Sequence, residues 1–166
     1  MITIAEFMTS DPYTLRESDS LNDARKVMTE KHIRHIPVTD EENHLLGLVT
    51  QRDVLAATDP SSEQQTKSAP QAGDEDIKLS DIMIKDVSVI HQEDSLRRAA
   101  LYIQSHKYGC LPVVSDDCLV GIITDSDFID IAINLLEQAE VAEEEVAIEI
   151  DSTIDDVEML EYEETQ

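Results

Sequence analysis

Residues 45–53 read LLGLVTQRD, and residues 119–127 read LVGIITDSD. Each is an apolar run of strand length that passes through a threonine into a helical pattern, with an aspartate three positions after the threonine. The recurrence extends far upstream. With a shift of 75, Met8, Asp11, Asp19, Ser20, Leu21, Ala24, Pro37 and Val38 fall on Met83, Asp86, Asp94, Ser95, Leu96, Ala99, Pro112 and Val113. One residue is lost near Asn43, the shift becomes 74, and Leu45, Gly47, Thr50 and Asp53 fall on Leu119, Gly121, Thr124 and Asp127. Twelve identities in fixed order over about 53 positions require that both copies fold alike.

The elements of each copy follow from patterning. A short helical turn (4–7; 79–82) precedes a methionine and a loop, and a short extended segment follows (13–15; 88–90). Ser20 and Ser95 are suited to cap helices whose buried face is Leu21, Ala24, Met28 in one copy and Leu96, Ala99, Ile103 in the other. Strands are expected over 36–39 and 45–49, and over 111–114 and 119–123, with Thr50 and Thr124 opening a last helix. The fold class is therefore α/β, as two β-α-β-β-α repeats. A repeat of about 55 residues is too small to bury its own core comfortably, so the copies are expected to pack with pseudo-two-fold symmetry. Residues 1–58 form repeat one, 59–78 a Ser/Gln/Pro-rich linker, 79–136 repeat two and 137–166 an acidic C-terminal tail. The tail holds thirteen acidic and no basic residues, a composition typical of solvated, disordered chain; the alternation AIEIDSTI (147–154) allows one short strand.

Composition narrows the function. The 166 residues carry a net charge of −25, which repels a phosphate backbone and an anionic membrane surface. The longest apolar runs are far below the roughly 18 residues of a bilayer span, and MITIAEFMTSDP lacks the basic and apolar regions of a signal peptide. Cys110 and Cys118 form no CxxC, so a reducing, cytoplasmic setting is expected.

Thr-x-x-Asp ahead of an apolar helix has two readings. It can be a capping device and nothing more. It can also bind: a helix N-terminus presents unpaired N–H groups to a phosphate, the threonine adds a hydroxyl donor, and the aspartate can accept from both hydroxyls of a ribose. His32 and His35 stand three apart at a helix-to-strand junction with no nearby carboxylate, which does not make a metal site, and no metal is expected. Cys110 reads as a small, partly buried residue rather than a nucleophile. Asp125 and Asp127 flank Ser126, but their match to repeat one argues against an acid/base pair, and no nucleophile elbow is present.

The repeat with its DSL helix start, its apolar-Pro-Val strand and its Gly-x-x-Thr-x-x-Asp ending resembles the CBS domain, and the tandem pair resembles a Bateman module. The resemblance spans about Ile4 to Ala57 and Leu79 to Ala132. It implies a disc with two related clefts for adenosine compounds: AMP, ADP or ATP, with S-adenosylmethionine, NAD or other dinucleotides as further possibilities. It implies that the motif aspartate takes the ribose and the threonine helps hold phosphate. Carried over, the ligand residues are Thr14, Ile33, Arg34, His35, Pro37, Thr50, Arg52 and Asp53 in repeat one. In repeat two they are Val89, Tyr108, Gly109, Cys110, Pro112, Thr124 and Asp127. Tyr108 is either an aromatic wall for a base or a core residue.

Together these features lead to a nucleotide-binding sensor or regulator of energy or metabolite state, a homodimer that acts on another protein and is not an enzyme. The alternative is a dimerisation module with empty clefts. If each cleft draws its phosphate contacts from one copy, the Thr50/Asp53 cleft, with Arg34, His35 and Arg52, should prefer the more highly phosphorylated ligand. The positions matching those three in repeat two are the uncharged Gly109, Cys110 and Ser126.

Overall fold

The computed structural model describes residues 2–58 and 76–163, the stretch 145–163 as helical backbone; the expected linker over 59–75 lies outside the described residues. A 3-10 turn at Ile4–Glu6 is followed by β1 (Thr9–Ser10), α1 (Leu21–Lys31), β2 (His35–Thr39), β3 (Leu45–Thr50) and α2 (Gln51–Thr58). The second copy supplies α3 (Leu79–Ile82), β4 (Ile90–His91), α4 (Leu96–His106), β5 (Cys110–Ser115), β6 (Cys118–Thr124) and α5 (Asp125–Glu163).

Local chemistry explains the boundaries. Ser20 Oγ accepts from the Asp23 amide while Asp23 Oδ2 accepts from the Ser20 amide, a reciprocal cap, and Ser95 Oγ accepts from the Arg98 amide. Both helices then stop at a residue in the left-handed region, His32 at φ 55° and Lys107 at φ 59°, which turns the chain into β2 or β5. β2 pairs antiparallel with β3, and β5 with β6, each with a register shift at the equivalent place: Val38/Thr39 and Val113/Val114.

The N-terminal segment of each repeat docks on the other repeat. β1 pairs antiparallel with β6, Thr9 opposite Ile122, and Ile84 bridges Leu48 of β3 in the same sense. Backbone hydrogen bonds repeat the exchange: the Ala5 amide donates to the Gln92 carbonyl and the Ser80 amide to the Glu17 carbonyl, both shifted by 75. Repeat one's core therefore contains Leu79 and Met83 beside Leu21, Ala24, Met28, Ile36, Val38, Val49 and Val54. Two glycines make room for the guests. A methyl on Gly47 would lie 2.6 Å from Met83 Sδ and 2.9 Å from the Ile84 carbonyl oxygen, and one on Gly121 would lie 2.6 Å from Met8 Sδ. Ile77 and Lys78, placed in the linker on sequence grounds, belong to this docking: the Leu21 amide donates to the Ile77 carbonyl, and Lys78 bridges Ser20.

The structure differs from the sequence expectation in two further places. Residues 13–15 form no strand; Leu15 makes a single parallel bridge to Val38, and the matching β4 sits at 90–91 rather than 88–90. The stretch 147–154 is not a strand, and the backbone of 137–163 is not irregular chain, because α5 runs unbroken to Glu163. No Gly or Pro follows Gly121, and Glu, a good helix former, is the commonest residue of α5, which favours a helix that the alternation alone does not reveal. The chain divides into a unit over 1–125 and one over 126–166. No helix among the described residues is long and apolar enough to cross a membrane.

Candidate functional site

The start of α2 is fixed by the Thr50-x-x-Asp53 motif. Asp53 Oδ2 accepts from the Thr50 amide at 2.7 Å and from the Thr50 hydroxyl at 2.7 Å, and the Asp53 amide donates to Thr50 Oγ1 at 3.3 Å. The capping reading is therefore met in repeat one, with Oδ2 committed to it. The Gln51 amide donates to the Arg34 carbonyl, tying the helix start to the chain entering β2; its counterpart is the Asp125 amide donating to the Gly109 carbonyl. Each tie sets the start of a last helix beside the helix-to-strand junction of its own repeat, and the His35 ring against Gly109 brings the two junctions together.

Between them lies a cavity of about 660 Å3. Repeat one lines it with Arg34, His35, Thr50, Arg52 and Asp53, and repeat two with Tyr108, Gly109 and Cys110. These eight of the expected residues are drawn from both copies. The others fall elsewhere. Pro37 and Pro112 are fully buried in the middle of β2 and β5, and Ile33 packs against the core of repeat one. Thr14 is half-buried and Val89 exposed, outside the cavity lining. Thr124 ends β6 opposite Cys110, and Asp127 lies in the first turn of α5.

The cavity also holds residues the sequence did not single out. Because the segment after α3 docks on β3, it brings Ile84, Asp86, Val87 and Ser88 to one wall. The left-handed end of α4 brings Lys107. Gln51, Asp125 and the apolar Leu48 and Leu55 complete it. The signal for Lys107 was its alignment with His32 at the helix end; for Ser88 it was the extended segment expected over 88–90, of which only Val89 was carried to the ligand.

The ionic lining is mixed: Arg34, Arg52 and Lys107 against Asp53, Asp86 and Asp125. Arg34 Nη2 lies 3.9 Å from Asp125 Oδ1. The His35 ring packs on Gly109, where an added methyl would lie 2.5 Å from Nε2. Burial holds His35 below the usual imidazole range; Asp125 and Asp53 oppose that, and Arg34 adds to it. Burial, helped by the Asp125 carboxylate, pushes the Cys110 thiol up to about 12, so it is a packing group at neutral pH and no nucleophile. Tyr108, the one aromatic ring of the lining besides His35, stacks on His106 with centroids 5.6 Å apart, and His106 stacks on Tyr102 at 4.1 Å outside the lining. The Tyr102 hydroxyl donates to Ser88 Oγ at 3.0 Å, joining the aromatic wall to the wall from the docked segment. Tyr108 is 43% exposed, a wall residue rather than a core one.

His32 and His35 have separate duties, one ending α1 and the other covering Gly109. The side chains of Asp40, Glu42 and His44 do converge within 4.8 Å in the β2–β3 turn, where Asp40 is already engaged by the Glu42 and His44 amides and the His44 ring.

The pattern that describes the CBS domain matches residues 4–59 and again 79–134. The chain belongs to the CBS-domain family. Solved structures similar to it are CBS pairs. A Vibrio cholerae chain designated an acetoin utilization protein (AcuB) is 46% identical, covers 84% of this chain and 96% of its own, and superposes with a TM-score of 0.71. CBSX2, solved in complex with AMP, is 26% identical over 81% of this chain and 98% of its own, at a TM-score of 0.68. Among curated relatives, homoserine O-acetyltransferase of Methanococcus vannielii is 33% identical over 122 residues, which is 73% of this chain but 23% of that enzyme. The chain thus spans about a quarter of the length of such curated relatives.

Proposed function

We propose that this CBS pair is a regulatory module that binds an adenine nucleotide in the cleft between Asp53 and Tyr108. The observation that carries the reading is the convergence in one cavity of a helix start, a ribose-competent carboxylate, three cations and an aromatic wall. Asp53 takes the ribose hydroxyls, and Thr50 with Arg34, Arg52 and Lys107 takes phosphate. Tyr108 faces the base. Lys107 supplies from repeat two the cation that Gly109 and Cys110 lack, so charge at this cleft comes from both copies. Asp86 and Asp125 cap the anionic charge the cleft tolerates, which favours AMP over ATP. S-adenosylmethionine and NAD are the next candidates, and no metal is required. The similarity to CBSX2, solved with AMP, supports this class of ligand.

The module acts by differential affinity: the nucleotide favours one arrangement, which a partner protein reads. It works as a cytoplasmic homodimer and is not itself an enzyme. The 46% identity to the AcuB chain favours acetoin utilization as the regulated process. Calorimetric titration of the full chain with AMP, ADP, ATP, S-adenosylmethionine and NAD tests the ligand. Binding of AMP, lost in Asp53→Asn, supports the reading. No heat with any of them at millimolar concentration returns the chain to the alternative, a dimerisation module with empty clefts.

A further inference from the structure

The cleft contains an ion pair that joins the two repeats. Arg34 Nη2, from the chain entering β2, lies 3.9 Å from Oδ1 of Asp125, the first residue of α5. That distance is too long for a hydrogen bond. The Asp125 side chain is 48% exposed, yet its Oδ1 is sealed from solvent and accepts no hydrogen bond among the described residues. A carboxylate oxygen so placed is costly unless a nearby charge compensates it, and Arg34 supplies that charge. The carboxylate also acts on its other neighbours in the lining: it counters the effect of burial on the His35 ring and helps raise the Cys110 thiol.

The fold does not require this pair. The repeat-equivalent positions are Gly109 for Arg34 and Gln51 for Asp125, and neither carries a charge. The same backbone tie nevertheless forms in both repeats, from the Gln51 amide to the Arg34 carbonyl and from the Asp125 amide to the Gly109 carbonyl. Gln51 starts α2 as Asp125 starts α5. The other two carboxylates of the lining are placed differently. Asp53 is held by the Thr50 amide and hydroxyl, and Asp86 is exposed, where solvent screens it. We infer that Asp125 is an internal competitor of the ligand's phosphate for Arg34, and so the residue that sets the affinity threshold of the cleft. An anion that takes Arg34 must displace the carboxylate, and the cost grows with the ligand's charge. The inference rests on the nucleotide reading and specifies which contact the nucleotide breaks.

The test is calorimetric titration of the full chain with adenosine, AMP and ATP, without magnesium and at fixed ionic strength. Wild type, Asp125→Asn, Arg34→Gln and the double variant are compared. Asp125→Asn is expected to tighten AMP about tenfold and ATP by more than AMP, while adenosine, which has no phosphate, shifts less than about twofold. In the Arg34→Gln background the same substitution should gain at least about threefold less, because the contested cation is gone. An equal gain for adenosine, which a merely structural change would give, overturns the inference. So does an equal gain with and without Arg34, which leaves Asp125 as a distant repulsive charge. AMP binding that ignores Asp125→Asn overturns the inference alone, whereas failure of all three ligands to bind any form overturns the nucleotide reading and the inference together. Asp125→Ser removes the same charge and suits a helix start, so it replaces Asp125→Asn if that variant does not fold.

Discussion

Asp53 has one oxygen in a cap and a place in the cavity lining, so its two duties can be separated. Asp53→Ala removes the cap, costs about 1 kcal/mol of stability and leaves the ribose without its acceptor. Asp53→Asn retains a carbonyl oxygen for the Thr50 amide but loses the charge. Its melting temperature is expected to stay close to wild type while AMP affinity falls about 10- to 100-fold by calorimetry. A variant with unchanged affinity would leave Asp53 as a cap alone. The histidines make a second residue-scale test, with opposite signs. His35 titrates below its ordinary value in the fold because burial disfavours its charged form. The stability this gives is present above about pH 6.5 and is lost as pH falls through the lowered value. His44 is held above its ordinary value by its hydrogen bond to Asp40, so its stability is present below about pH 6.5 and is lost as pH rises through the raised value. Denaturation midpoints across pH should show His35→Gln flattening the acid side and His44→Gln the neutral side.

At the scale of elements, the helices, strands and caps were readable, because apolar spacing and Asp-Ser-Leu report local structure directly. The exchange of N-terminal segments was not. Met8 matching Met83, and Gly47 matching Gly121, were visible as identities, but nothing in a periodicity says that each methionine sits over the other repeat's glycine. The same blindness hid Ile84, Asp86 and Ser88 from the site, since their place depends on which sheet the segment joins. Pro37 and Pro112, carried to the ligand by the resemblance, are fully buried in mid-strand. The tail misled for another reason: high charge suggests disorder, while the absence of Gly and Pro and the high glutamate content favour a helix. Gly47→Ala tests the exchange. Met83 can move its sulfur, but the Ile84 carbonyl is held at 2.9 Å from the Leu48 amide and cannot retreat without breaking that bond. A loss of roughly 1–3 kcal/mol in urea unfolding is expected. Gly121→Ala should cost about as much, because Met8 Sδ at 2.6 Å and the Thr9 carbonyl oxygen at 3.0 Å meet it in the same way.

At the scale of the whole molecule, a nucleotide at about 100 times its dissociation constant should stabilise the fold by about 2.7 kcal/mol, a rise on the order of 5–10 °C in melting temperature. Deleting 141–166 should leave that shift and the ligand affinity unchanged, because every residue lining the cleft belongs to the unit over 1–125. Loss of nucleotide binding in the truncated protein would give α5 a part in the site.

The crossed N-terminal segments also govern how the chain reaches its fold. Thr9 must find Ile122 across about 110 residues, and such distant pairings slow folding because chain ends must meet before any contact rewards them. Repeat one, although made first, waits for Leu79 and Met83 to leave the ribosome before its core can close, and repeat two waits on residues already made. Neither half has a complete native state of its own. Hydrogen exchange should accordingly find the amides of β3 and β6 opening together, with one protection free energy, rather than as two independent domains.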